Sequence, residues 1–461
     1  MTLEPELERL ARRYAIAPGA AEVVGAAAAR LRTTPRMLRY REDLGLVAPP
    51  RTAGGYRSYR RRDLLAAAFA AELERAYGVT PAALAFGLRV LLEPAVAGRV
   101  RTLARLARAG GAELALCGSN PLSTKDEVAA AIHHELGVPV YALHGCDRAT
   151  FYRQVEGALS VRPTIVVDDG ADLTATIHGR HPELLGEVVG ATEVTSTGVL
   201  RARNMAADGA LRYPLVALND AATKHLFDNR YGTGQNTIDG ILRSTNLLLA
   251  GKVFVVVGYG WCGRGVAQRA RGMGARVVVV EVDPVRALEA VMDGHQVLPM
   301  AEAAAVGDVF VTVTGNRDAI RLEHLRAMRP GAVLANSGHF DLEIDVAGLR
   351  RAATAATEVR PGAVAYTLGG RDVIVLADGR LVGQSCAKAS PAEVMDLTFS
   401  TMALAVEHLA RDGAALGPGV HAVPAHLDDR VARLKLAALG VRCDQLTAAQ
   451  RDYLGSWDQG T

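Results

Sequence analysis

The sequence predicts an α/β protein built on parallel sheets, with a small helical segment ahead of them. Three observations predict this. Lys252 to Val257 is a short apolar, β-branched run leading into Gly258-x-Gly260-x-x-Gly263, a helical stretch, a second apolar run from Ala275 to Val280, and Glu281. Upstream, from about residue 85 to 230, short apolar runs alternate with helical ones. Between Arg30 and Arg62, helix caps and turn residues sit in an arginine-rich stretch. The expected architecture is a Rossmann domain plus a second α/β domain, preceded by a small helical winged helix-turn-helix-like domain.

In the N-terminal segment, residues 1–84, Ala21 to Leu31 reads as a helix. A second helix starts at Pro35, with Thr34 as its N-cap, and Gly45 ends it. Pro49 to Tyr59 reads as a turn followed by short extended pieces, and Asp63 starts a further helix. Helix, turn, basic helix and aromatic-basic wing make a DNA-binding layout.

The second α/β domain is expected over residues 85–229. Strands are predicted at Leu88 to Leu92, Ala112 to Cys117, Val138 to Leu143 and Thr164 to Val167, and helices at Gly98 to Ala109 and Thr124 to Leu136. Asp168, Asp169 and Asp172 fall just past a strand's carboxyl end, where open α/β sheets bind ligands. They serve either there or as caps of the next helix. Thr195-Ser196-Thr197 is a hydroxyl-rich turn. Lys224 and Asp228 stand four apart on one predicted helix face, an ordinary surface pair were they not just upstream of the glycine turn.

Residues 230–389 carry the dinucleotide fingerprint. Gly258 permits the tight turn, Gly260 lets backbone approach a pyrophosphate, and Gly263 allows close helix–strand packing. The following helix offers amide groups and a positive dipole end to phosphates. Glu281 would accept from a ribose 2′-hydroxyl, favouring NAD over NADP.

Composition excludes several classes. The chain has 461 residues, enough for two to four domains, and 49% are hydrophobic, so sizeable cores are expected. No run approaches the ~18 uncharged apolar residues of a membrane span, and the N-terminus lacks a signal-peptide pattern. The five cysteines lack paired metal-ligand spacing, which suits reduced cytoplasmic thiols and no metal site. The net charge of +3 is too small to imply a partner.

Two resemblances add to this reading. The stretch TPRMLRYREDLGLVAPPRTAGGYRSYRRRDL resembles the winged helix-turn-helix of the MerR family. That implies DNA contacts from Arg36, Arg39, Tyr40, Arg57 and Tyr59. From about Leu88 onward the chain resembles the S-adenosylhomocysteine hydrolase family, archaeal-like branch. The carrying motifs are CGSNPLSTKDEVAAAI, VDDGADLT, NDAATKHLFDNRYGTGQNTIDGILRSTN, the glycine unit itself, TVTGN, ANSGHFDLEID and MDLTFS. The resemblance implies a homo-oligomer, dimer or tetramer, with the substrate domain completed by about residues 390–428 and an oligomerisation tail over 429–461.

It also implies a mechanism: NAD+ oxidises C3′ of an adenine nucleoside, the C4′ proton is removed, the C5′ substituent is eliminated, water adds, and hydride returns. Carried over residue by residue, Lys224 and Asp228 handle the 3′-hydroxyl proton. Asp169 is acid/base near C4′ and C5′, and His339 sits by the ribose hydroxyls. Asn229 places the nicotinamide. Thr195, Ser196, Thr197, Asn316 and Asn336 line the cofactor with Gly258, Gly260, Gly263 and Glu281.

The departures from that family lie on the 2′ and 5′ sides of the nucleoside. Its LHxT segment is here Leu91-Leu92-Glu93-Pro94, and no histidine precedes His133. Its EETTTG has Val194 for the second glutamate, its LVNL has Gly383 for the asparagine, and its GHP has Ser390 for the histidine. Glu93, Val194, Ser390 and Phe399 are the expected substrate contacts. Buried polar sites reject ligands that leave them unpaired, so such changes alter substrate choice. The expectation is an NAD-dependent lyase that stops at a 4′,5′-unsaturated nucleoside. The alternatives are ordinary S-adenosylhomocysteine hydrolysis, and a DNA-binding regulator with a nucleoside- or NAD-sensing domain.

Overall fold

A computed structural model describes residues 4–43, 47, 49–52, 55–77 and 112–458. The expected strand at Leu88, the helix at Gly98 and Glu93 lie outside the described residues. The chain divides into two compact units, Met1–Glu113 and Leu114–Thr461.

In the first unit, helices span Glu4–Arg13, Val24–Arg30, Pro35–Asp43 and Arg61–Tyr77. Thr34 Oγ1 accepts from Met37 N at 3.1 Å, the expected N-cap. Leu10, Ala27, Ala28, Leu31, Leu38, Tyr59 and Leu64 form the core. Burying a leucine such as Leu38 contributes about 1.5–3 kcal/mol before entropy costs. Two expectations are corrected. Residues Ala21–Glu22 are a strand, β1, antiparallel to β2, Tyr59–Arg60, and the helix begins only at Val24. Tyr59 is fully buried under that pairing, and Arg57 is held 2.5 Å from Glu42, so neither presents a free wing side chain.

The second unit opens with two short parallel strands, β3 (Leu116–Cys117) and β4 (Val140–Tyr141). The expected strands there are thus shortened, the first to its last two residues and the second to its middle two. Next come β5 (Ile165–Asp168), β6 (Gly190–Glu193) and β7 (Pro214–Ala217). They form a parallel sheet whose fourth strand, β16 (Gly419–Ala422), comes from the far end of the chain and pairs with β7.

The larger sheet holds β8 (Val253–Val257), β9 (Arg276–Val280), β10 (Gln296–Val297), β11 (Val309–Thr312), β12 (Ala332–Asn336), β13 (Ala355–Arg360), β14 (Ala363–Leu368) and β15 (Arg371–Leu376). Its order is β10-β9-β8-β11-β12-β15-β14-β13. Strands β8 to β12 and β15 run parallel, and the β13–β14 hairpin adds antiparallel pairs. Every residue of β8 is buried, which is why it reads as an unbroken apolar run. The strand order reverses between β8 and β11, and the crevice at such a switch point is where open sheets bind ligands.

Between the two sheets, the chain turns through Ala222–Lys224 into a π-helix over His225–Thr233, then an α-helix over Gly234–Thr245. Single π segments inside α-helices are frequent at functional sites. The helix Ala392–Asp412 packs against this π segment.

Candidate active site

A cavity of about 1610 Å³ opens at the carboxyl ends of β5, β6, β8 and β11. Lys224 reaches it from the helical turn just before the π segment, Asp228 and Asn229 from the π segment itself, Asp169 from the turn after β5, and His339 from the loop after β12.

Lys224 is 6% exposed, so its ammonium must be satisfied inside the protein. Its Nζ donates to Asn229 Oδ1 at 2.8 Å and Asn219 Oδ1 at 3.3 Å, and lies 3.4 Å from Asp228 Oδ2. Asn229 Nδ2 donates to Asn219 Oδ1 at 3.0 Å, which closes the cage. Asn229 therefore serves Lys224 directly, in addition to facing the cavity. Asp228 accepts from Ser390 Oγ at 3.1 Å and from Thr398 Oγ1 at 3.3 Å. Ser390 Oγ in turn accepts from Asn236 Nδ2 at 3.1 Å.

In the same cavity, His339 Nδ1 lies 3.7 Å from Asp169 Oδ1. His339 is buried, and its Nε2 has no hydrogen-bond partner among the described residues. Gly170 adopts φ +107°, and a Cβ there would fall 2.5 Å from that Nε2. Glycine is therefore required both for the turn and for the imidazole beside it.

Two buried carboxylates shape this turn. Asp168 Oδ2 accepts from Thr174 N at 2.7 Å and caps the following helix, so the capping alternative holds for Asp168. Burial pushes its carboxyl up. Glu193 accepts from Gly170 N at 3.0 Å, Ala171 N at 2.8 Å and Thr195 N at 2.8 Å. Burial, and then the charge of Asp168, push Glu193 up to about 8, while these amides pull the other way.

The glycine turn fits a dinucleotide. Gly258 has φ +104°, and a Cβ on Gly263 would meet the Gly258 carbonyl oxygen at 2.1 Å. At Gly260 the nearest atom to an added Cβ is 4.0 Å away, leaving the backbone open to an approaching phosphate. No side chain caps the helix Trp261–Gly272, whose first amides point where an anion would sit. Among the described residues Thr197 Oγ1 is buried without a partner while lining the cavity, as is His339 Nε2, and buried polar atoms of this kind call for a ligand.

Glu281 lines the cavity and accepts from Tyr259 N at 2.7 Å, Val282 N at 2.6 Å and Asp283 N at 3.0 Å, which leaves one acceptor site on Oε2. Thr195, Ser196, Asn316, Val194, Ser390 and Phe399 also line it. Asn336 does not, which corrects its expected role. Its amide nitrogen donates to the carbonyls of Gly338, Phe340 and Gly379, and its Oδ1 accepts from Gly338 N at 2.7 Å. It organises the His339 loop instead.

Burial pushes the Cys262 thiol up to about 11, so it stays protonated in the cavity wall and is no thiolate nucleophile. Sequence reasoning missed Asn219, Asn236 and Glu193 as site residues. Asn219 sits five residues before Lys224, but an amide carries no pattern until its partner is known. Among the described residues, no His, Cys, Asp and Glu group could hold a metal, and no helix is long and apolar enough to cross a membrane.

A switch-point cavity with a dinucleotide turn, a caged lysine and a carboxylate–imidazole pair defines an NAD-dependent α/β enzyme. The S-adenosyl-L-homocysteine hydrolase NAD-binding domain matches residues 229–389, and the S-adenosyl-L-homocysteine hydrolase model matches residues 87–183. An adenosylhomocysteinase of Gloeobacter violaceus is 53% identical over 376 residues, covering 81% of this chain and 88% of the relative. One of Aquifex aeolicus is 54% identical over 360 residues, with 78% and 86% covered. An S-inosyl-L-homocysteine hydrolase of Methanopyrus kandleri is 51% identical over 377 residues, with 81% and 88% covered. The chain belongs to the S-adenosyl-L-homocysteine hydrolase family and uses NAD. A MerR family regulatory protein model matches residues 24–59 alone, too short a stretch to assign the chain to that family.

Proposed function

We propose that this enzyme cleaves the C5′ thioether of a purine nucleoside, with S-adenosylhomocysteine the leading substrate. The Lys224 cage carries the reading, because it lines the same cavity as Asp169, His339 and the glycine turn. When bound, NAD+ supplies hydride removal from C3′ and its later return. Lys224 takes the 3′-hydroxyl proton as the free amine, its own proton having first passed to Asp228 3.4 Å away, and so becomes the hydrogen-bonded ammonium of the cage. Asp169 takes the C4′ proton, whose electron pair forms the C4′–C5′ double bond as the thiolate leaves. His339 orients the ribose hydroxyls. Asp169 then returns a proton to C4′ after water adds at C5′.

The departures at Val194, Gly383 and Ser390, taken alone, favour elimination without hydration. The names of the relatives move the balance to hydrolysis, and they support hypoxanthine as well as adenine in the base position. The stopped lyase stays as the second reading because Val194 and Ser390 both line the cavity. Mass spectrometry of products from S-adenosylhomocysteine, S-inosylhomocysteine and adenosine, with Lys224→Ala as control, decides. Homocysteine plus an intact nucleoside supports hydrolysis. A product one water lighter than adenosine, without hydration, sinks it in favour of the lyase.

For the first unit, exposed Arg36, Arg39 and Tyr40 on the helix Pro35–Asp43 support a DNA contact. Exposed Tyr453, Leu454 and Trp457 near the C-terminus support homo-oligomer contacts.

A further inference from the structure

Asp169 and His339 come from different sheets, one after β5 and the other after β12. Their own contact, Nδ1 to Oδ1 at 3.7 Å, is longer than a hydrogen bond, so neighbouring groups must set their spacing. Gly170, next to Asp169, has no side chain to hold the turn.

Arg201 touches both halves. It stands on the helix Ser196–Ala207, and its Nη1 donates to the Gly170 carbonyl at 2.5 Å and to Asp172 Oδ1 at 2.9 Å. Its guanidinium carbon lies 5.6 Å from the centre of the Phe340 ring. Phe340 in turn packs edge-on against His339, with ring centres 4.8 Å apart. One planar cation thus grips the residue after Asp169 and the residue after His339. Asp172 is itself steadied by Tyr152 Oη, 3.3 Å away. Arg201 does not line the cavity, and it shares no partner with the Lys224 cage.

We propose that Arg201 is a positioning residue that sets the Asp169–His339 geometry. Through that geometry it governs removal of the C4′ proton separately from oxidation at C3′. The inference rests on the roles proposed above for Asp169 and Lys224. Guanidinium suits the task because it can hydrogen-bond in its plane while stacking on a ring with its face. Lysine keeps the charge beside Asp172 but loses the flat contact with Phe340.

The test uses the full chain with NAD bound and adenosine as probe. Near-ultraviolet absorbance of the reduced cofactor reports C3′ oxidation in a single turnover. Solvent deuterium appearing at C4′ of recovered adenosine reports the proton transfer. Arg201→Ala is expected to slow oxidation only slightly, through His339, while C4′ exchange per oxidation falls about 100-fold, the cost of a misplacement near 1 Å. Arg201→Lys should fall between the two. Phe340→Leu approaches from the other side without leaving Asp172 unpaired, so it serves if the alanine variant does not fold, and it should lower exchange in the same selective way. Equal loss of both steps, or exchange unchanged in the variants, overturns the proposal. An unsubstituted chain that neither oxidises adenosine nor exchanges C4′ overturns the site reading and this inference with it. That result is visible before any variant is compared.

Discussion

Ser390 donates its hydroxyl to Asp228 Oδ1 at 3.1 Å while accepting from Asn236 Nδ2 at the same distance. In the sequence Ser390 reads only as a lost imidazole. In the structure it is wired to the carboxylate beside Lys224. Gly383 belongs to the same network, because a Cβ there would lie 2.1 Å from Asn236 Oδ1. Two departures from the family pattern thus act on one asparagine, and a side chain at position 383 would push Asn236 off Ser390.

Ser390→Ala removes one of the hydroxyl donors to Asp228. A hydrogen bond to a charged group contributes about 1.5–3 kcal/mol, so C3′ oxidation is expected to slow roughly 10- to 100-fold. Stopped-flow absorbance of the bound cofactor measures it. An unchanged rate would mean that water replaces the hydroxyl at no cost.

Gly263→Ala places a methyl group 2.1 Å from the Gly258 carbonyl oxygen, and the turn must open. Overpacking of this kind costs about 1–3 kcal/mol. The variant is expected to purify with less NAD and to melt earlier than the unsubstituted protein. Cofactor content after denaturation, together with a melting curve, checks both.

Glu193 ties pH to stability. Its carboxyl moves from 4.5 to about 8 on folding, so the folded chain binds a proton that the unfolded chain has released. The associated stability is full below pH 4.5 and is lost as pH rises to about 8. Melting temperatures across that window should therefore fall with rising pH, and Glu193→Gln should flatten the fall. A slope unaltered by the substitution assigns it to other groups.

For the first unit, Arg36→Ala and Arg39→Ala each remove one exposed cation from the helix Pro35–Asp43. If these arginines meet phosphates, each substitution lowers the salt slope of DNA binding by about 1. Fluorescence anisotropy on duplex DNA over a salt series gives the slope. No binding at low salt removes the DNA proposal altogether.

The Rossmann strands and the glycine turn were legible in the sequence because burial on both faces writes an unbroken apolar run, and the turn tolerates almost nothing but glycine. Lys224 and Asp228 were legible as an i,i+4 pair. The asparagines around them were not, since an amide is equally at home on a surface. Asn336 was misread because it flanks the site in sequence while spending its amide on the carbonyls of its own loop. Tyr59 was misread because an aromatic residue in a basic stretch suggests a wing contact, whereas here it fills the core.

The π segment at His225–Thr233 has a further consequence. In a regular α-helix, residues five apart point about 140° away from each other. Yet Asn229, five positions after Lys224, accepts from its ammonium at 2.8 Å, while Asp228, four positions after, stays within 3.4 Å. The widened turn holds both neighbours against one cation. The cage therefore depends on the number of residues in that turn as much as on their identities. Losing a single residue there would restore a regular helix and swing the amide out of reach, with every side chain of the cage still present.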